Sequence, residues 1–166
     1  MNEIDELKKI LTNHEERLKV LEQKLLASTI EDRMPIKGFG ITKLAERVGL
    51  SAEKLDSLYD ADNNTLTLLR VEGSDEAEKT KRISLMVILG YKYIFGNESV
   101  LSSEIKRNVA ENRVPLNNFA SYLNEMMPSQ IRRIGKPKSK NTKYKLTTPG
   151  EVEAKEMVKQ MCNVEK

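Results

Sequence analysis

Residues 83–95, "ISLMVILGYKYIF", form the most apolar stretch of the chain, and any fold must cover them. The stretch is thirteen residues long and contains Lys92, whereas a helix that crosses a bilayer needs about 20 apolar residues. Its apolar residues recur with a period near 3.6, and a second apolar face lies beside the first. The pattern therefore predicts a buried helix at the centre of a domain, with these inward positions: Ile83, Leu85, Met86, Val87, Ile88, Leu89, Gly90, Tyr91 and Ile94.

The ends of this central helix are marked by capping residues. Asp75 and Glu78 have the spacing of a capping box at the helix start. Gly96 follows the apolar run, and glycine is typical of helix C-termini. We therefore expect a second domain to open at residue 75.

The residues after this helix predict six further elements in a fixed order. Ser102 is expected to cap the second helix, and Pro115 to occupy the first position of the third. Thr148, Pro149 and Glu151 predict a capped start for the last helix. The predicted order is a short strand at 99–101, helices at 103–112 and 115–127, strands at 130–136 and 142–147, and a closing helix from 148.

This order of elements resembles the winged helix-turn-helix family over residues 75–162. The segment "SKNTKYKLTTPGEVEA", residues 139–154, is similar to a second wing strand followed by the family's "LT-x-x-G-x-x-x-A" entry to the closing helix. The resemblance implies a mainly α fold with a small β-hairpin. It identifies the fold better than the ligand, because winged helices also serve as protein-docking modules.

The first thirty residues keep a seven-residue apolar repeat, which indicates a supercoiled helix. The a positions are Ile4, Leu11, Leu18 and Leu25, and the d positions are Leu7, His14, Leu21 and Ser28. In a parallel pair, Glu3 would face Lys8 and Arg17 would face Glu22, both attractive. The repeat predicts a homodimer through residues 3–28; the alternative is a single helix folded back on its own domain.

Residues 31–72 predict a small helix-turn-helix-like module between these parts. Pro35, Gly38 and Gly40 indicate a linker, and a helix at 42–48 should be followed by a turn at Gly49. Ser51 should cap a second helix, and residues 65–71 predict a strand. Three residues fit this module: Ala45 is small enough to let the helices approach, Gly49 allows a positive backbone dihedral, and Leu55 is expected in the core. The predicted domains are thus 1–30, 31–72 and 75–166.

Charge is distributed very unevenly along the chain. The net charge is +3, and residues 131–145 carry +7 with no acidic residue. Subtracting those seven charges leaves −4 on the rest. Such a cluster would release counterions from a nucleic-acid backbone, whereas a loop kept polar only for solubility would mix both signs. The predicted phosphate-binding residues are Arg132, Arg133, Lys136, Lys138, Lys140, Lys143 and Lys145, and Pro137 and Ser139 are expected to keep the loop irregular.

The third helix of the domain is the predicted reading helix. Leu116, Phe119, Ala120, Leu123 and Met126 are expected to face inward. Asn117, Asn118, Ser121 and Asn124 are expected to face out, where amides can bind adenine edges. Arg107 and Arg113 precede this helix and are expected to hold phosphates. The other interpretation of the asparagines is a neutral exposed face.

Enzyme signatures are missing from the sequence. His14 is the only histidine and Cys162 the only cysteine, so neither a histidine-based triad nor a multi-Cys zinc site can be assembled. Residues 60–71 begin like a calcium-binding loop, but Val71 stands where such a loop has its bidentate Glu. These residues are better interpreted as a turn rich in Asp and Asn. We expect no catalytic residue, cofactor or metal.

These observations predict a dimeric, duplex-DNA-binding transcriptional regulator, with RNA not excluded as the ligand. The alternative is a winged helix that docks on protein and recruits a partner through its coiled coil. A lone cysteine, no signal peptide and no bilayer-spanning stretch predict a cytoplasmic protein with no membrane partner.

Overall fold

The computed structural model describes residues 39–163, together with His14 and residues 17–19. Met1–Pro35 and Ile36–Lys166 form two compact units. In the first unit, the described residues are helical and exposed. The predicted coiled coil otherwise lies outside the described residues, as does most of the predicted linker.

The second unit contains six helices and five short strands within its described part. In chain order they are α1 (Phe39–Val48), α2 (Ala52–Asp56), β1 (Tyr59–Asp62), β2 (Thr65–Leu68), α3 (Glu76–Ile94), β3 (Val100–Leu101), α4 (Ser102–Glu111), α5 (Phe119–Met126), β4 (Ile131–Ile134), β5 (Lys143–Leu146) and α6 (Thr148–Asn163). None of these helices is long and apolar enough to cross a membrane.

The first module holds a hairpin where the sequence predicted a single strand. β1 pairs with β2 in antiparallel register, joined by Asn63 and Asn64, which both have positive φ. Two central residues with positive φ match the right-handed twist of the paired strands. The positive φ predicted for Gly49 is confirmed, but Ser51 stands at the N-cap of α2 without a side-chain capping hydrogen bond.

The central helix was predicted correctly. Asp75 accepts a hydrogen bond from the Glu78 amide at 2.8 Å, which caps the start of α3. The residues from Ile83 to Tyr91 are buried, and Gly96 ends the helix with a φ of +73°. α3 contacts α1, α4, α5 and α6 and forms the centre of this unit.

Two predicted helix starts differ from the structure. The N-cap of α4 is Leu101 rather than Ser102. α5 begins at Phe119 instead of Pro115, because residues 116–118 form a turn in which the Phe119 amide binds the Leu116 carbonyl. The element order expected for residues 75–162 is present throughout.

The second sheet has the strand order β3-β5-β4. Its base abuts the first turn of α6, where a Cβ on Gly150 would lie 1.9 Å from the Gln130 carbonyl oxygen. Thr147, rather than the predicted Thr148, caps this turn: its hydroxyl accepts from the Gly150 amide at 3.2 Å. Ala154 is fully buried one turn later. Only glycine fits at position 150, and a small residue packs at 154.

The first module and the following elements share one hydrophobic core, although the sequence predicted two domains. Side chains of α4 cover the outer edge of β2 as a third strand would. Asn108 accepts from the Leu68 amide at 2.8 Å and donates to the Leu66 carbonyl at 2.9 Å. Asn112 accepts from the Val71 amide and donates to the Leu68 carbonyl, both at 3.1 Å. These bonds satisfy edge groups that would be costly to bury unpaired.

Candidate nucleic-acid interface

The β4–β5 hairpin and its loop, residues 131–146, form a basic surface that we call the wing. Its register places Arg132 directly opposite Lys145, and Ile134 opposite Lys143. Side chains opposite each other in a hairpin lie on the same face, and these four are all exposed. The other face points inward through Ile131 and Tyr144, which are buried. The sequence predicted both strands and the outward charges correctly.

The wing loop is more ordered than the sequence suggested. The Thr142 hydroxyl donates to the Lys136 carbonyl at 2.7 Å, and the Ser139 hydroxyl accepts from the Asn141 amide at 3.2 Å. Lys138 adopts a φ of +60°, in the left-handed region that long side chains disfavour. Residues 135–142 form no regular secondary structure, as predicted, and the Ser139 side chain also organises the loop, which the sequence did not suggest.

All seven cations of the wing are exposed, and within residues 39–163 none has a carboxylate oxygen within ion-pair distance. Elsewhere in the described part of this unit, seven Lys and Arg residues form ion pairs. Glu151, for example, accepts from Lys92 at 2.8 Å and from Lys155 at 2.7 Å. Burial alone would raise the pKa of the Glu151 carboxyl, but hydrogen bonds from Lys155, Lys92 and Tyr93 outweigh burial and lower the pKa to about 2. Among residues 39–163, the wing is therefore a short segment in which seven cations lie together without an ion-pair partner.

α5 lies next to the wing and presents a polar face. Phe119, Leu123 and Met126 are buried as predicted. Leu116 and Ala120 were predicted to face inward, but Leu116 is 40% exposed and Ala120 is also exposed. The inward position predicted for Leu116 was wrong because the predicted helix extended back to Pro115, whereas residues 116–118 form a turn that changes the direction of the chain.

The predicted base-reading residues are exposed. In the described part of the chain, the side chains of Asn117, Ser121 and Asn124 make no hydrogen bond. Asn118 donates a long bond of 3.5 Å to the Tyr122 hydroxyl. Glu125, the acidic residue of α5, is bound by Lys81 at 2.6 Å. Its negative charge is thereby compensated, which reduces its repulsion of a nearby phosphate.

The two arginines that precede α5 have different environments. Arg113 is exposed with a φ of +59° in the turn after α4. Arg107 binds Glu104 at 3.0 Å, Glu111 at 2.9 Å and the Leu66 carbonyl at 2.7 Å. Arg107 therefore anchors the first hairpin, and its expected phosphate contact stays a prediction.

A groove of about 570 Å³ separates α5 from the wing loop. Lys138 and Lys140 line one side, Ala120 lines the α5 side, and Lys106 of α4 lines its floor. The Lys106 ammonium lies 5.5 Å from the centre of the Phe119 ring. Sequence reasoning missed Lys106, because the groove forms between elements that are far apart in the chain.

No protein-family model, curated protein or solved structure matches this chain. Among the described residues, no group of three or more His, Cys, Asp or Glu side chains is arranged to hold a metal ion. The basic wing, the groove and α5 are the features of this unit that indicate a function.

Proposed function

We propose that the chain is a winged helix-turn-helix protein that binds duplex DNA, with the wing on phosphates and α5 on base edges, and that it acts as a dimeric transcriptional regulator. The order of elements from α3 to α6 and the hairpin between α5 and α6 support the fold. The exposed amides of α5 support the assignment of bases to that helix.

The observation that carries the proposal is the placement of Arg132 opposite Lys145 on an exposed face without a neighbouring carboxylate. Like charges directly opposite each other destabilise a hairpin. A polyanion relieves this repulsion, and the counterions it releases favour binding. The positive charge thus destabilises the isolated wing, and it would stabilise a complex with nucleic acid.

The groove explains how wing and helix would act together. Lys138 and Lys140 on the loop and Ala120 on α5 border the same space. A phosphate backbone entering this groove would approach three lysines, counting Lys106. The exposed face of α5 would then lie beside the bases next to that backbone. Phosphate contacts fix the register, and base contacts supply the specificity.

Titration of a duplex at two salt concentrations tests the proposal. Replacing Lys138 and Lys140 with Ala should weaken binding to all sequences and lower the salt slope by about one per lost phosphate contact. The matched control replaces Lys43 and Lys54, which are exposed on α1 and α2, and removes the same charge away from the wing. If both double variants lose affinity equally, only net charge matters; if no duplex binds at low salt, the protein-docking alternative is favoured.

The dimer is a separate part of the proposal and depends on the heptads of residues 3–28. Deleting these residues should leave a folded monomer, because the compact unit Ile36–Lys166 has its own core. Sedimentation of the truncated chain tests this. A truncated chain that still sediments as a dimer would place the interface in the second unit.

A further inference from the structure

Two exposed apolar residues accompany the exposed amides of this region. Leu116 lies in the turn before α5, and Ala120 lies in the first turn of α5. Ala120 borders the groove that faces the wing. Apolar side chains at a base-reading surface can contact the C5 methyl of thymine, which projects into the major groove.

The same face lacks the residues that read G·C pairs. Guanine is read most often by Arg or Lys through its O6 and N7 atoms, and cytosine by a carboxylate through its N4 amine. Residues 115–126 include no Arg or Lys. Their one carboxylate, Glu125, is bound by Lys81 at 2.6 Å. Amides that suit adenine and apolar groups that suit the thymine methyl remain.

We infer that α5 and the turn before it select A·T base pairs, with Asn117 and Asn124 on adenine edges and Leu116 and Ala120 on thymine methyls. This inference rests on the proposed DNA-binding function and specifies its substrate. The expected preference is about fivefold to 150-fold for each amide–adenine pair. Each covered methyl should add about fourfold.

A preference for A·T could also come from the wing. Arg and Lys side chains are attracted to the narrow minor groove of A-tracts, whatever the major groove presents. The two sources differ in the groove that they read. An inosine·cytosine pair presents a major groove like that of G·C and lacks the minor-groove amine of guanine, as A·T does. It therefore separates α5 from the wing.

The test uses the full chain and four duplexes of equal length, built from A·T, G·C, inosine·cytosine, and A·T with uracil in place of thymine. The A·T duplex should bind most tightly. The uracil duplex should bind about fourfold more weakly for each methyl contacted. The inosine·cytosine duplex should behave like G·C.

A pair of matched variants assigns the methyl contact to a residue. Leu116→Ala should reduce the difference between the thymine and uracil duplexes. Leu69→Ala removes a similarly exposed leucine outside the interface and should leave that difference unchanged; Leu69 is 53% exposed.

The outcomes separate this inference from the proposed function. Equal affinity for the thymine and uracil duplexes, or inosine·cytosine binding as tightly as A·T, would overturn A·T reading by α5 while DNA binding stands. Failure of all four duplexes to bind at low salt would overturn the DNA-binding proposal itself, and the inference with it.

Discussion

The chain contains two antiparallel hairpins with strands of equal length and very different surroundings. β1 and β2 are closed by a two-residue turn, and side chains of α4 cover the outer edge of β2. β4 and β5 are joined by a longer loop and expose like charges on their outer face. The first hairpin is held by interactions that stabilise the fold. The second hairpin places like charges opposite each other, which destabilises it. Such destabilising residues are expected at a binding surface.

This contrast predicts effects of opposite sign on stability. Substitutions that break contacts of the first hairpin should destabilise the protein. Suitable substitutions in the wing should stabilise it while weakening DNA binding. The following predictions run from the largest expected change in stability to the smallest.

Asn108→Ala should lower the free energy of unfolding by about 2–4 kcal/mol, because it leaves the buried Leu68 amide without an acceptor. Denaturant unfolding followed by circular dichroism measures this. Asn124→Ala is the matched control, since its side chain is exposed and should change stability by less than about 0.5 kcal/mol. Similar losses in the two variants would show that the edge of β2 does not depend on Asn108.

Acid should weaken the first hairpin through Glu104. Burial alone would raise the pKa of the Glu104 carboxyl, but hydrogen bonds from Tyr91 and Arg107 outweigh burial and lower it from its ordinary value of 4.5. A lowered pKa means that the stabilisation is complete above 4.5 and is lost as the pH falls through the folded value. Arg107, which binds the Leu66 carbonyl, then loses the charged partner that positions it.

The measurement compares thermal unfolding of the parent protein and Glu104→Gln at pH 7 and at pH 3. At pH 7 the parent should be more stable, by about 1 kcal/mol for a half-exposed charged pair. The difference should shrink as the pH falls from 4.5 through the folded pKa of Glu104. Parallel pH profiles would show that Glu104 contributes nothing to acid sensitivity.

Lys138→Gly should stabilise the protein by up to about 1 kcal/mol, because glycine accepts the φ of +60° that lysine disfavours. The same change should weaken binding to every duplex, since it removes one of the proposed phosphate contacts. Lys140→Gly is the control in the same loop: it removes the same charge at a residue without a positive φ, and it should not stabilise. Equal stability changes in the two variants would show that the positive φ of Lys138 does not destabilise the protein.

Lys145→Glu should stabilise the wing by about 0.2–1 kcal/mol, because the new carboxylate lies opposite Arg132. Lys143→Glu makes the same charge change opposite Ile134 and gains only a weaker diagonal contact. Both variants should bind duplex DNA more weakly than the parent. A destabilised Lys145→Glu variant would show that the two cations do not repel each other in the free protein.

Sequence patterns predicted the parts of the fold that depend on local chemistry. The central helix, its Asp75 cap and the two wing strands follow from periodicity and capping, which act within a few residues. β1 was missed because Asp60, Ala61 and Asp62 are poor strand formers, and the strand depends on pairing with β2. The joining of the two predicted domains was also missed.

The candidate site shows the same division. The seven wing cations could be located from the sequence because a run of like charges is visible in it. The groove with Lys106 could not, since it depends on how α4 packs beside the wing. The inward position predicted for Leu116 was wrong because a turn places this residue outside α5. The ion pairs of Arg107 were not predicted for a related reason, since they depend on how the surrounding elements pack.

The close approach of Gly150 to the Gln130 carbonyl has a consequence for the inheritance of this gene. A single nucleotide change converts any glycine codon into an alanine codon, so the substitution must arise repeatedly. The added methyl would lie 1.9 Å from the Gln130 carbonyl oxygen at the base of β4. Relieving this clash would require β4 and the start of α6 to move apart. We expect descendants of this gene to retain glycine there even as the wing loop changes in length and charge. A survey of sequence variants tests this expectation. If alanine at position 150 were as frequent as substitutions in the wing loop, the expectation would be wrong.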